Sequence, residues 1–239
     1  MENEISGVIL VNKHKGVTSH DIVFKIRKLF GTKKVGHTGT LDPLATGVLP
    51  VLVGRAAKAA EYLLCESKKY VAELQLGITT DTEDITGNIL TKTDTLPAKN
   101  EFFEACRAFV GDIMQVPPMY SALKVNGQKL VDLARQGIEI ERQARPITVY
   151  SLVPEEIDEK KGLYRIAVSC SKGTYIRTLC CDIGKSLGCG ATMTELQRTE
   201  SGGFEIEDAY TIEDLEKMSY EERAGCLMEV ESQIGRAHV

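Results

Sequence analysis

The seven cysteines, at positions 65, 106, 170, 180, 181, 189 and 226, are odd in number, and none belongs to a Cys-x-x-Cys pair. Neither a disulfide framework nor a thiolate zinc site is indicated, and the pattern fits a reducing, cytoplasmic compartment. Only four histidines are present, at 14, 20, 37 and 238, and none falls in His-Glu-x-x-His or another ligand pattern. Neither Gly-x-Gly-x-x-Gly nor Gly-x-x-x-x-Gly-Lys-Ser/Thr occurs, so the nucleotide-cofactor fingerprints are missing. No apolar run approaches the ~18 residues of a membrane span. The opening MENEISGVIL lacks the basic start and cleavage site of a secretory signal. What is left is a soluble globular composition, 43% hydrophobic and 26% charged, in a chain of 239 residues. That length suits one large domain or two small ones.

The net charge of −5 hides an uneven distribution. Residues 200–239 carry 11 acidic and 3 basic residues, a net of −8, whereas residues 1–60 hold 9 Lys/Arg against 4 Asp/Glu, a net of +5. Binding responds to local potential rather than to the whole-chain pI, so an acidic total does not exclude a polyanionic partner. Charge alone is equally the mark of a solvated basic surface beside an acidic tail.

Along the chain, Val8–Val11 reads as a short strand. Ser19 can cap a helix with the apolar face Ile22, Val23, Ile26, Leu29 and Phe30, which Gly31 ends. The opposite face carries Lys25, Arg27 and Lys28 and runs into Lys33-Lys34. The segment 36–50, GHTGTLDPLATGVLP, reads as a structured loop, since its glycines and prolines disfavour a long helix or a central strand. A helical stretch follows around 56–64, and YVAELQL (70–76) alternates as a half-buried strand. Residues 79–87 read as a polar turn before 88–91, and Asn100 as the cap of a helix over 101–110. A short helix at 129–136 precedes strands at 138–140, 147–153 and 164–170, then a helix over 174–187 and a strand at 193–197. Strands and helices mix without a βαβ repeat. The predicted class is therefore α+β, a mixed and largely antiparallel sheet flanked by helices and long loops.

Several residues could carry chemistry. Asp42 precedes Pro43 in the glycine/threonine loop, where it could act on a substrate or simply hydrogen-bond the turn. Arg177 near a helix start could fork onto a carboxylate or a phosphate, or be an exposed helix arginine. Tyr70 could offer a ring face to a base or sit half-buried in the core, and spacing leaves His37 open between acid/base, stacking and loop-bonding roles. Asp81, Glu83 and Asp84 miss the EF-hand spacing and read as a solvated turn.

Taken together, VNKHKGVTSHDIVFKIRKLF, GHTGTLDPLATGVLP, KKYVAELQLGITTDTEDITG, QVPPMYSALKVNGQKL with LARQG, and SKGTYIRTLCCDIGKSLGCGA resemble the successive motifs of the tRNA pseudouridine synthase B family, from about Gly7 to Gly203. The chain departs from that pattern at His14, where the family usually has proline, and at Val131, where an aromatic is common. The resemblance implies a pseudouridine synthase fold and isomerisation of uridine 55 in the tRNA T loop, with the base flipped out of its stack. It implies Asp42 as nucleophile, Arg177 as its partner and Tyr70 stacked on the uracil. His37, Thr38, Gly39 and Leu196 would line the flipped nucleotide, and Lys13, Lys15, Lys33, Lys34, Lys68 and Lys69 would be among the groups on phosphates. It implies no metal, no organic cofactor, no membrane, and a cytoplasmic monomer whose partner is the tRNA T stem-loop. The expected layout is a catalytic domain over 1–203 and an acidic tail over 204–239, with any C-terminal RNA-binding domain of the PUA type absent or truncated.

Overall fold

The computed structural model describes residues 5–59 and 67–229. In chain order these hold β1 (Gly7–Lys13), α1 (Ser19–Phe30), β2 (Val35–His37), β3 (Thr46–Val53) and β4 (Ser67–Leu76). Then come β5 (Ile78–Thr80), β6 (Ile89–Lys92), α2 (Lys99–Ala108), β7 (Gly111–Gln115), β8 (Lys124–Val125), β9 (Gln128–Lys129) and α3 (Leu130–Arg135). The chain continues through β10 (Arg145–Asp158), β11 (Leu163–Ser171), α4 (Ile176–Ser186), β12 (Ala191–Ser201), β13 (Phe204–Glu205), α5 (Ile212–Lys217) and α6 (Tyr220–Gly225). Of the helix expected at 56–64, a 3₁₀ turn over Gly54–Ala59 is seen. The remainder, with Cys65, lies outside the described residues. The chain divides into two compact units, Met1–Tyr70 with Leu196–Val239, and Val71–Glu195. The α+β class holds: strands and helices mix in both, and most ladders are antiparallel.

In the first unit, β3 is the central strand. It pairs antiparallel with the whole of β1, from Gly7↔Val53 to Lys13↔Gly47. Its other edge is shared, by β2 opposite Val51–Val53 and by a parallel contact of β12 at Thr46 and Gly47. The reading of 36–50 as loop throughout is thus corrected, because only 38–45 is loop and Thr46–Pro50 belongs to a buried strand. Proline fits there because β2 ends at His37 opposite Val51, so no ladder partner waits for a donor from Pro50. Its carbonyl accepts from Thr38 N at 3.1 Å.

Helix α1 lays Ile22, Val23, Ile26 and Phe30 into the core, each worth about 1.5–3 kcal/mol when fully buried. Its cap is Thr18, not Ser19. Thr18 and Asp21 form a reciprocal capping box, and Gly31 closes the helix in the left-handed conformation. Residues 204–229, read as an acidic tail, pack into this unit. Met228 and Tyr210 hydrogen-bond the edge of β1 away from β3, and Ile212 and Leu215 are buried.

The second unit is built on the strand order β4-β11-β10-β7, with α2 against β10 and α4 against α2. Phe102 of α2 stacks on Tyr164 of β11, ring centroids 4.1 Å apart. Helix α2 starts one residue before Asn100, because Glu101 reaches back to Ala98 N at 2.8 Å and supplies the cap. The strand expected at 138–140 is not formed: Ile138 N is spent on Leu133 O, closing α3. Asn126 and Gly127, both at positive φ, make the two-residue turn between β8 and β9.

Gly47, at φ +108°, lies so close to β12 that a Cβ there would sit 2.1 Å from the carbonyl oxygen of Arg198. Gly47→Ala is therefore expected to cost at least about 2 kcal/mol, from backbone strain plus separation of β3 from β12. A fall in the urea midpoint at unchanged m-value would show it.

Candidate active site

Asp42 lies on no regular element, yet both of its neighbours are pinned. Ser19 Oγ donates to Leu41 O at 3.0 Å and accepts from Leu41 N at 2.8 Å, a two-point clamp by a buried side chain. This is why Ser19 is not the helix cap. On the other side Pro43 O accepts from Gly16 N at 2.8 Å and from Lys13 Nζ at 3.5 Å, and Ala45 N closes the turn onto Asp42 O at 3.0 Å. The start of α1 and the loop after β1 thus hold the peptide carrying Asp42.

Two enclosed cations surround this loop. Lys13 is 0% exposed, and its ammonium donates to Val17 O at 2.8 Å and His14 O at 3.1 Å as well as to Pro43. Burial lowers its pKa from 10.5 to about 8, opposed by the Asp42 carboxylate and helped by the Arg198 guanidinium. The expectation that Lys13 holds phosphate is corrected: an ammonium closed in by three carbonyls inside the unit is a tie for the loop. Arg198, also 0% exposed, donates from Nε to Val48 O at 2.8 Å and from Nη2 to Gly39 O at 3.1 Å. It meets β3 between the segments paired to β2 and to β12. Sequence reasoning missed it, although Arg198 lies in the inward phase of β12 with Leu196.

The remaining expected residues of this unit divide by burial. Tyr70 ends the buried row of β4 on this side, 8% exposed, and Leu196 is 8% exposed on β12. Thr38 is 3% exposed, with a buried hydroxyl that has no hydrogen-bond partner among the described residues. Gly39 has φ +78°, and a Cβ there would lie 3.3 Å from Arg198 Nη1 and 3.5 Å from Lys68 Cε, so glycine lets both side chains approach. His37 is half-buried, and its Nδ1 likewise has no partner among the described residues. Its pKa lies below 6.5, first because of burial and then because of the charges of Arg198 and His20. Lys15 is exposed. The Lys69 ammonium is 2.5 Å from Glu200 Oε2, which engages it within the protein.

Arg177 belongs to the second unit. It is 4% exposed near the start of α4, so the exposed-arginine reading fails. Nη1 donates to Thr82 O and Nη2 to Tyr120 O, both at 2.7 Å, and Asp84 Oδ2 is 4.0 Å from Nη1. Asp84, 5% exposed, accepts from Thr82 Oγ1, Thr86 N and Thr86 Oγ1. Glu83, at φ 65°, accepts from Thr178 Oγ1 at 2.6 Å, and burial raises its pKa above 4.5 against the opposing pull of Thr178 and Arg177. The turn read as solvated is therefore the cradle of Arg177. Buried Gln115 fixes the adjoining backbone, accepting from Tyr175 N at 2.8 Å and donating to Tyr175 O at 3.1 Å. Among the described residues no group of three or more His, Cys, Asp and Glu side chains is placed to hold a metal ion.

A family model described as the N-terminal domain of TruB family pseudouridylate synthases matches residues 27–176, and one described as the tRNA pseudouridylate synthase B C-terminal domain matches 177–233. The tRNA pseudouridine synthase B of Alkaliphilus oremlandii (strain OhILAs) is 50% identical over 214 residues, covering 90% of this chain and 71% of the relative. That of Francisella tularensis subsp. novicida (strain U112) is 47% identical over 230 residues, 95% of this chain and 76% of the relative. Among solved structures, a chain of a Cbf5-Nop10-Gar1 complex matches with TM-score 0.70 at 32% identity, over 98% of this chain. A chain of an H/ACA RNP bound to a substrate RNA containing 2'-deoxyuridine matches with TM-score 0.68 at 29% identity, over 97%. This chain spans 59% and 60% of the length of those two chains.

Two titrations follow from the enclosed groups. Because Lys13 holds its proton less tightly in the fold than in the unfolded chain, the unfolded state binds more protons between pH 8 and 10.5, and stability is expected to rise with pH through that window. In Lys13→Met this rise, read from urea midpoints, should disappear. His37 should titrate below 6.5 by NMR, with its share of stability lost as pH falls from 6.5 through its folded pKa.

Proposed function

The chain belongs to the TruB family of tRNA pseudouridine synthases, isomerases that act on a uridine of tRNA, and from that premise we propose that it converts uridine 55 of the T loop to pseudouridine. In this reaction the N1–C1′ bond breaks, the uracil turns, and C5 bonds to C1′. The C5 proton leaves and N1 takes one up, so the atoms balance without a cofactor.

In this reading Asp42 is the nucleophile. The observation that carries it is the pinning of Leu41 and Pro43, which holds one carboxylate on an otherwise irregular loop in a fixed position. A nucleophile so held meets the sugar or the base without reorganising. Arg177 supplies an opposite charge to pair with the Asp42 carboxylate where water is excluded. Its two carbonyl bonds fix the guanidinium within the second unit. Tyr70 stacks on the uracil and assists removal of the C5 proton, and Leu196 packs against the base. The uridine must first leave its stack, at a cost of a few kcal/mol. The half-buried His37, with Thr38 and Gly39, receives the rearranged nucleotides. Lys15 and Lys68 hold phosphates, so binding weakens steeply with salt. The enzyme acts as a cytoplasmic monomer on the tRNA T stem-loop.

Tritium release from C5-labelled uridine in a T stem-loop RNA tests this. Asp42→Asn is expected to lower single-turnover release at least about 10³-fold while RNA affinity stays within a few-fold. Substantial release by the variant removes Asp42 from the chemistry. RNA binding without release by the wild-type protein makes the chain an RNA-binding protein on the same scaffold. Tyr70→Phe should slow release while keeping affinity. Arg177→Lys, which keeps the charge but loses the planar fork, should lower the rate at saturating RNA.

A further inference from the structure

One basic feature is not used by the site just described. At the C-terminal end of α1, Phe24, Arg27, Lys28, Gly31, Thr32 and Lys33 line an open cleft of about 510 Å³. Phe24 is 53% exposed, and Lys28 Nζ sits 4.7 Å above the ring centroid. Arg27 is turned inward by a bond from Nη2 to Val35 O at 3.3 Å, and its Nε has no partner among the described residues.

The electrostatics there are one-sided. From Ile22 to Leu41 the chain contains no carboxylate. Among the described residues none approaches Lys25, Arg27, Lys28 or Lys33 closely enough for an ion pair. The acidic helices α5 and α6 pack against α1, yet the capping acid of each is engaged locally. Asp214 accepts from Thr211 Oγ1 and Glu222 from Ser219 N, as Asp21 does from Thr18. Lys28 and Lys33 are left facing solvent beside an exposed aromatic ring.

Position supplies the rest. Strand β2 follows Lys33 and Lys34 directly and ends at His37, so the four steps from Lys33 to His37 span at most about 13 Å. An RNA engaged at His37 and Asp42 passes within a few nucleotides of the cleft. We propose that this cleft is a second RNA-contact surface, which takes phosphodiesters of the substrate outside the loop that carries the target uridine. Lys28 and Lys33 bind the phosphates, and Phe24 holds the Lys28 ammonium outward and offers its face to a ribose. The inference rests on the reading of the chain as a tRNA-modifying enzyme only for the identity of the RNA.

The test compares wild type, the double variant Lys28→Gln/Lys33→Gln, Phe24→Ala, and Lys217→Gln on the acidic α5, with a T stem-loop RNA as probe. The double variant is expected to bind about tenfold more weakly at low salt. Its plot of log K against log salt should be shallower by about 2, the mark of two lost phosphate contacts. Tritium release at saturating RNA should stay at the wild-type rate, Phe24→Ala should weaken binding about threefold, and Lys217→Gln should change nothing. Unchanged affinity and slope in the double variant would overturn the proposal, as would equal losses in Lys217→Gln, which mark a general charge effect. A purely helix-stabilising Phe24–Lys28 pair would shift the melting temperature and leave the salt slope alone, and that result also overturns it. Wild type that binds through these lysines without releasing tritium would retain the cleft and discard the isomerase reading.

Discussion

Asp42 has no helix or strand of its own, so every role given to it depends on the hydrogen bonds that fix Leu41 and Pro43. Ser19 takes both backbone groups of Leu41, while Gly16 and Lys13 converge on the carbonyl of Pro43. The two ends of the turn are thereby tied to the first turn of α1 and to the loop after β1, which are themselves anchored by core packing. A carboxylate on a free loop would lose several kcal/mol of advantage each time it had to be ordered before reacting. Here the ordering is done during folding.

The pinning brings two cations into the interior without matching each to its own carboxylate. Lys13 spends its three donors on carbonyl oxygens, and Arg198 gives Nε and Nη2 to Val48 and Gly39. Carbonyl dipoles offset part of the desolvation cost, and the depressed pKa of Lys13 shows that the offset is incomplete. The arrangement persists because it does structural work at β3. The edge of that strand is split between β2 and β12, and a guanidinium meets the stretch that neither ladder covers. Burial first, and then the charge of Arg198, lower the proton affinity of His37, so the guanidinium that braces β3 also acts on the residue at the end of β2.

How much of this was legible in the sequence depended on whether a residue's partner was near in the chain. The strands with strict alternation and the apolar face of α1 were readable, since each is a local pattern repeated over several residues. Asp42 in its loop, Tyr70 and Arg177 were singled out as chemically suggestive, and their grouping came only from family resemblance. Pro50 inside a central strand was not readable, because its tolerance depends on where β2 stops. Ser19 looks like a cap, and only the distant Leu41 reveals its other use. The burial of Lys13 and of the 81–84 turn has the same origin: an acidic or basic residue is solvated by default, and the exceptions are decided by contacts such as Pro43 for Lys13 and Arg177 for Asp84. Arg198 had a faint signal in its phase with Leu196, but one inward-phased charge in a strand is hard to distinguish from a register break.

The acidic total of the chain stops being a paradox once the charges are placed. The potential an RNA meets is set within about 10 Å of the protein surface at moderate salt, so only the local balance matters. Carboxylates at 21, 214 and 222 are engaged by the donors of their own helix starts, and Glu200 is held against Lys69. Part of the negative charge is thereby spent on capping and pairing, while twenty residues from Ile22 to Leu41 carry cations alone. Packing acidic helices against a basic one without cross-pairing them keeps the cations of α1 available to a ligand, which surface ion pairs would have quenched for little gain in stability. A chain of net charge −5 can therefore present a strongly attractive face to a polyanion, and the decisive feature is which carboxylates its own backbone has already claimed.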